Sequence, residues 1–406
     1  MGTVTNSETA RIRTLEGFRP EIELLVRCAL PPSMRRDHDR VRTLLDAELS
    51  WDDVLEIGGK HGVLPLLSRS IEAVPEHHVP EEHIERLEDH TRSVAVRNLR
   101  YADELHDIFD AFEGDGIRAM PFKGPMIASF SHGDLSMREF GDLDVLVHRD
   151  DVPAAVDLLE DRGYEWVRDA PRLDDSPLLG GPITMPLVCE YELERGDHMV
   201  EIRWRVEQSD RPFGIRFETM WERRDVVPVA GVDPPALDPD DRILMLAYHG
   251  TKHRWHLLKW ISDFAISIER TTLDWSRVVR RARAHGIEPR LLVGIALSTT
   301  LLGIEVPDHV ERRIREDGRA GELAASVAAE IGLDIPTRPS SRSRLVYNAK
   351  AADSTIEVSR MLLQRPRLHP SMFEYKHVPL PGELHPLYYP VVPVRLTAER
   401  LLNLFR

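Results

Sequence analysis

Between Gly141 and His148 the chain reads Asp-Leu-Asp-Val-Leu-Val, a run that few folds accept. Leu143, Val145 and Val147 alternate with Asp142, Asp144 and Leu146, which is the period of a strand. Side chains two apart on a strand share a face, so Asp142 and Asp144 project together. Two carboxylates held that close repel unless a cation lies between them. Hard oxygen ligands in that arrangement suit Mg²⁺ or Mn²⁺, which keep waters and bind substrate phosphates. A solvated strand face is the ordinary alternative for a lone Asp-x-Asp.

The neighbours of this strand favour a site. Gly114-Asp115-Gly116 is a turn signal, and residues 117–122 then read as a strand running into Lys123-Gly124. Pro125 suits the first position of a short helix over 126–130. Gly124 would let a phosphate approach backbone N–H groups there, and Lys123 adds a cation. Arg138 could grip a phosphate bidentately. After Asp150-Asp151-Val152-Pro153 a helix runs to Gly163. Residues 187–193 and 199–206 read as a hairpin around Arg195-Gly196-Asp197. In the second hairpin strand Glu201 is flanked by Val200 and Ile202, so it faces away from them, toward Asp142 if the strands are neighbours. Glu190 and Glu192 alternate on the first hairpin strand, either on its solvent face or as an extension of the acidic site. Cys189 reads as a small buried hydrophobe. This order implies a small mixed sheet with helices against it.

The flanks read as helical. Apolar residues recur at helical spacing over 21–30, 41–49, 51–57 and, at length, 81–112. The Pro-rich stretch 227–239 reads as a linker, followed by one strong helix over 241–269 and more helices to 333. Residues 336–342 form a polar break, and a last helix is expected over 398–405. The segments are therefore 1–110, helical; 111–230, the mixed sheet; 231–335, helical; and 336–406, a Pro-rich tail. Along the helix 241–269, His249, Lys252, His253, His256, Lys259 and Asp263 share one side. A His-x-x-x-His spacing can bind zinc, but no convincing third ligand accompanies it. A solvated polar face is the plainer reading. Trp255 and Trp260 read as core.

Composition removes several function classes. At 406 residues the chain exceeds what one hydrophobic core usually organises. No apolar run is long enough to span a bilayer, and residues 1–19 lack an apolar signal core, so a cytoplasmic location is expected. Two cysteines, Cys28 and Cys189, build neither a disulfide framework nor a Cys-rich metal site. A net charge of −15 argues against general nucleic-acid binding, which needs clustered cations. Only six lysines accompany that acidity, the signature of a salt-adapted or GC-rich host, where an acidic surface is background.

The order strand, Lys123-Gly124, short helix, Arg138, Asp142-x-Asp144, helix to Gly163-Tyr164, then a strand bearing Glu201 resembles the nucleotidyltransferase superfamily related to DNA polymerase beta. More closely, it resembles a bacterial and archaeal family of uncharacterised nucleotidyltransferases. His61-Gly62-Val63-Leu64-Pro65 matches that family's N-terminal helical region. His249-Gly250-Thr251-Lys252-His253-Arg254-Trp255, with Trp260 and Asp263, matches its later helix, and Leu387-Tyr388-Tyr389 resembles its tail. Two departures stand out. The superfamily carries Gly-Ser or Gly-Gly where this chain has Lys123-Gly124, and the closer family carries His where Arg203 stands.

The resemblance implies an α+β fold: a small mixed-sheet nucleotidyltransferase core flanked by helical regions. It implies transfer of a nucleoside monophosphate from an NTP, ATP foremost, to an acceptor hydroxyl with release of pyrophosphate. Asp142, Asp144 and Glu201 would be both catalytic residues and the ligands of two Mg²⁺ or Mn²⁺ ions, with Glu201 alternatively a base. Lys123, Gly124 and Arg138 would bind nucleotide, and Lys252 and His253 would line the cleft near its phosphates. The acceptor, whether protein, RNA, small molecule or sugar, is not specified, and no membrane partner is expected. A nucleotide-binding module without turnover, and metal-dependent phosphate-ester hydrolysis, are the alternatives.

Overall fold

The computed structural model describes residues 15, 17–168, 172–173, 189–206, 215–333, 335–363, 377–378 and 380–404. The chain divides into two compact units whose segments interleave along the sequence. One comprises Met1–Asp103, Gly124–Phe140 and Arg224–Asp353; the other comprises Glu104–Lys123, Gly141–Arg223 and Ser354–Arg406.

The second unit holds a five-stranded sheet. Its strands are β1 (Ala119–Pro121), β2 (Leu143–Val147), β3 (Glu165–Trp166), β4 (Glu190–Arg195) and β5 (His198–Arg203), in the order β1-β2-β5-β4-β3. β2 and β5 run parallel, and the other neighbours are antiparallel. Alternation explains the arrangement. Leu143, Val145, Val147, Val200, Ile202, Tyr191 and Leu193 all lie on one face and are buried. Burial of each large side chain is worth roughly 1.5–3 kcal/mol, so a register slip of one residue is strongly disfavoured. The opposite face collects Asp144, Glu201, Arg203, Glu190 and Glu192. The turn between β4 and β5 falls at Gly196 and Asp197 as expected, with Gly196 at φ 59. The helix Val152–Asp161 buries Val152, Ala155, Val156 and Leu159. Residues 187–188, expected to open the hairpin, lie outside the described residues.

The first unit is helical. Glu288–Leu297 packs on Arg319–Ile331 and on Pro239–Lys252, which in turn packs on Leu258–Arg270. Residues 241–269, expected to form one helix, form two, with a break over 253–257. Arg254 and Trp255 take φ 59 and 49 there. A left-handed non-glycine residue costs about 1–2 kcal/mol. Burial of the whole Trp255 indole offsets that cost. The Trp255 ring folds back onto Gly250, where a Cβ would meet it at 2.4 Å, and its Nε1 donates to Thr251 Oγ1 at 3.1 Å. Hydrophobic period is blind to this break, because both flanks keep helical spacing. The stretch read as a linker is also structured: β6 (Asp225–Val226) and β7 (Pro235–Ala236) form a ribbon, with Val229, Ala236 and Leu237 buried beside it. The last helix begins earlier than expected, spanning Tyr388–Leu404, and Phe405 lies outside the described residues. Among the described residues no helix is long and apolar enough to cross a membrane.

Candidate metal centre

The parallel register sets Asp144 directly opposite Glu201, with Leu146 opposite Arg203. The hairpin register then sets Glu190 opposite Arg203 and Glu192 opposite Glu201. Acidic residues thus meet acidic residues across three strands, an arrangement that destabilises a sheet unless cations neutralise it. One carboxylate oxygen from each of Asp142, Asp144 and Glu201 lies within 4.8 Å of the others. Residues remote in sequence are brought together as the sequence reading expected.

Two side-chain cations enter this cluster. Lys123, just beyond β1, places Nζ 2.7 Å from Asp144 Oδ1. Its position follows from pairing: β1 is antiparallel to β2, and Phe122 N–H donates to Asp144 O at 2.8 Å. Gly124 then takes φ 55 and ψ −125, a conformation for which a side chain is poorly suited, and caps the turn Pro125–Ile127. Arg203 reaches across from β5. Its Nε donates to Asp144 Oδ1 at 2.9 Å and to Glu201 Oε2 at 3.1 Å, and its Nη1 lies 2.5 Å from Glu190 Oε2. Nη2 bonds Glu201 as well. Glu190 is therefore part of the network. Its sequence signal was the alternation with Glu192, and only the strand register decides that it meets Arg203.

The electrostatics follow from this crowding. Burial alone would raise the Asp144 carboxyl, but Lys123 and Arg203 outweigh it and hold the group at about 2. Glu201 moves the other way. Burial, and then the Asp144 charge, push it up to about 7 against the pull of Arg203. Asp144 is only 2% exposed, and among the described residues its Oδ2 has no hydrogen-bond partner. A buried carboxylate oxygen without a partner costs about 1–3 kcal/mol. With Asp142 and Glu201 beside it, that oxygen and its neighbours form a hard, anionic donor set that fits a divalent cation.

The other sequence-nominated residues lie in the helical unit. Arg138 is 7% exposed and donates through Nε to Asp263 Oδ2 at 2.9 Å; His132 Nε2 meets the other oxygen at 3.0 Å. Lys252 ends the helix Pro239–Lys252, and its carbonyl accepts from Asn348 Nδ2 at 3.2 Å. His253 belongs to a ring cluster with Trp260 and His249, at centroid distances of 5.1 Å and 4.7 Å. His256 also packs on Trp260, at 4.9 Å. Trp255 is core, whereas Trp260 is half-buried among histidines.

A mixed sheet with Asp142 just before one strand, Asp144 on it and Glu201 on the next is consistent with a nucleotidyltransferase domain. The chain belongs to the family described as uncharacterised nucleotidyltransferase, whose model matches residues 47–303, more than half of its length. The match takes in the acidic strands, the Lys123-Gly124 turn and the His249–Asp263 region. No curated protein matches the chain significantly.

Proposed function

We propose that this protein transfers a nucleoside monophosphate from an NTP, ATP foremost, to an acceptor hydroxyl and releases pyrophosphate. The partnerless buried Oδ2 of Asp144, set against Asp142 and Glu201, carries the reading. Asp142, Asp144 and Glu201 would hold Mg²⁺ or Mn²⁺. The bound ion would supply charge neutralisation at the phosphate and a more acidic attacking hydroxyl. Asp144 is fixed for this task, because Lys123 and Arg203 both hold its Oδ1 and leave Oδ2 for a ligand. Lys123 Nζ, beside the triad, would also offset negative charge gathering on phosphate oxygens. Gly124, Arg138, Lys252 and His253 are proposed as nucleotide contacts on the family resemblance alone.

A second reading, nucleotide binding without turnover, is favoured by one observation. Arg203 sets a permanent cation among Asp144, Glu190 and Glu201, where the closer family carries His. One comparison separates the two. Mg²⁺-dependent ATP binding and pyrophosphate release are measured for the wild type and Asp144→Asn across a panel of acceptors. Transfer requires pyrophosphate release by the wild type that Asp144→Asn abolishes. Binding without release across the panel favours the second reading, and orthophosphate in place of pyrophosphate indicates hydrolysis.

A further inference from the structure

The helical unit contains a cavity of about 280 Å³ that the metal-centre reading does not use. Its apolar wall includes Val327, Ile331, Ile335 and Pro336; its polar wall is His61, Arg254, His256 and Glu330. We propose that this cavity binds a small uncharged molecule bearing an amide or lactam group on a flat apolar body.

The hydrogen-bonding pattern selects that class. His61 is 1% exposed and ends the helix Trp51–His61. Its Nδ1 accepts the Leu258 N–H at 3.1 Å, so Nδ1 carries no proton. Burial drives the ring neutral, lowering its pKa to about 4. The single ring proton therefore sits on Nε2, which is buried and has no hydrogen-bond partner among the described residues. A buried N–H without an acceptor is costly, and a ligand carbonyl would satisfy it. His256 presents the opposite polarity. Its Nδ1 lies 2.8 Å from His253 O, a group that only accepts, so Nδ1 holds the proton. Burial also favours the neutral form of this ring, which leaves Nε2 as an acceptor. A carbonyl facing His61 and an N–H facing His256 is the polar edge of an amide.

Arg254 is bound to Glu330 and to Ser343 Oγ, and its guanidinium lies 5.3 Å from the Tyr347 ring centroid. Glu330 balances the Arg254 charge, while Arg254 Nε is buried with no hydrogen-bond partner among the described residues, a second donor for a ligand carbonyl. The volume lies at the small end of ligand pockets and admits a single ring with one polar group.

The test uses the full chain and three probes of one ring size: benzamide, toluene and benzoate. Ligand-observed NMR titrations are run on the wild type, His61→Asn and Thr337→Trp, each shown folded by circular dichroism. In His61→Asn the shorter side chain keeps an amide oxygen that can still accept the Leu258 N–H, while the Nε2 donor is lost with the ring. Thr337 lines the cavity from an exposed loop, so Trp there fills it without cutting the core. We expect saturable benzamide binding at least about tenfold tighter than that of toluene or benzoate. His61→Asn should weaken it about tenfold, and Thr337→Trp should abolish it. The proposal fails if benzamide does not bind, if toluene or benzoate binds equally well, or if benzamide binds either variant as it binds the wild type. It stands or falls independently of the metal centre, because no readout involves nucleotide or metal.

Discussion

Asp144 and Asp263 are both buried carboxylates, each held by two basic side chains, yet they serve different ends. Asp263 meets His132 through Oδ1 and Arg138 through Oδ2, so both oxygens are satisfied. Burial opposes its ionisation, and Arg138 and His132 overcome that opposition. Asp144 meets Lys123 and Arg203 through the same oxygen, Oδ1, and its Oδ2 is left without a partner beside two further acids. A saturated buried ion pair stitches a core together. An unsaturated one, inside an excess of negative charge, marks a place for a ligand.

The largest effect expected from this contrast is at Asp144. Asp144→Asn should lower metal-dependent pyrophosphate release by about a thousandfold, equivalent to about 4 kcal/mol. Its unfolding free energy should change little, since an amide relieves the repulsion with Glu201. Isothermal titration with Mn²⁺ checks the cause, because the variant should lose the binding isotherm. Retained Mn²⁺ affinity would remove Asp144 from the ligand set and break the contrast.

Asp263→Asn should do the reverse. It leaves Arg138 buried beside a neutral partner, and breaking a buried pair is strongly destabilising. A loss of about 3 kcal/mol in urea unfolding is expected, with Mn²⁺ affinity unchanged. If Mn²⁺ binding falls with stability held, Asp263 is more than a stitch.

Much of this contrast was legible in the sequence, and the remainder was not, for physical reasons. Asp142, Asp144 and Glu201 stood out because alternation fixes which face of a strand each side chain takes. That Asp144 pairs with Glu201 rather than with Glu190 depends on strand order, since β5 and not β4 lies beside β2, and non-local packing decides that order. Arg138 and Lys123 look alike as nearby cations, but one is committed to Asp263 and the other to Asp144. The helix break at Arg254 and Trp255 was hidden because nothing in local propensity favours two left-handed residues there. Trp255 closing over Gly250 is a tertiary gain.

A buried neutral base sharpens the comparison from another side. His61 has its pKa lowered from 6.5 to about 4 by burial, so the unfolded chain takes up a proton before the folded one does. Stability is therefore full above about 6.5 and is lost as pH falls toward 4. The contribution lost is about 2 kcal/mol, allowing for relaxation of the site. Urea unfolding of the wild type and His61→Asn between those limits should show the wild type losing stability more steeply as pH falls. Parallel slopes would mean that His61 is hydrated in the folded protein.

The smallest and most discriminating effect is expected at Arg203. Its guanidinium neutralises Asp144, Glu190 and Glu201 at once, a role that an ion at the same acids would partly take over. Without metal, Arg203→Gln should destabilise the protein by about 1 kcal/mol, because repulsion among the acids offsets the removal of a costly buried charge. With saturating Mn²⁺ that deficit should shrink, since the ion supplies the missing positive charge, and Mn²⁺ affinity should rise relative to the wild type. Asp263 offers no such exchange, because both its oxygens are already held by His132 and Arg138. If the Arg203→Gln deficit is the same with and without Mn²⁺, guanidinium and metal do not share the same acids. Asp144 would then be a second stitched pair that happens to lack one hydrogen bond.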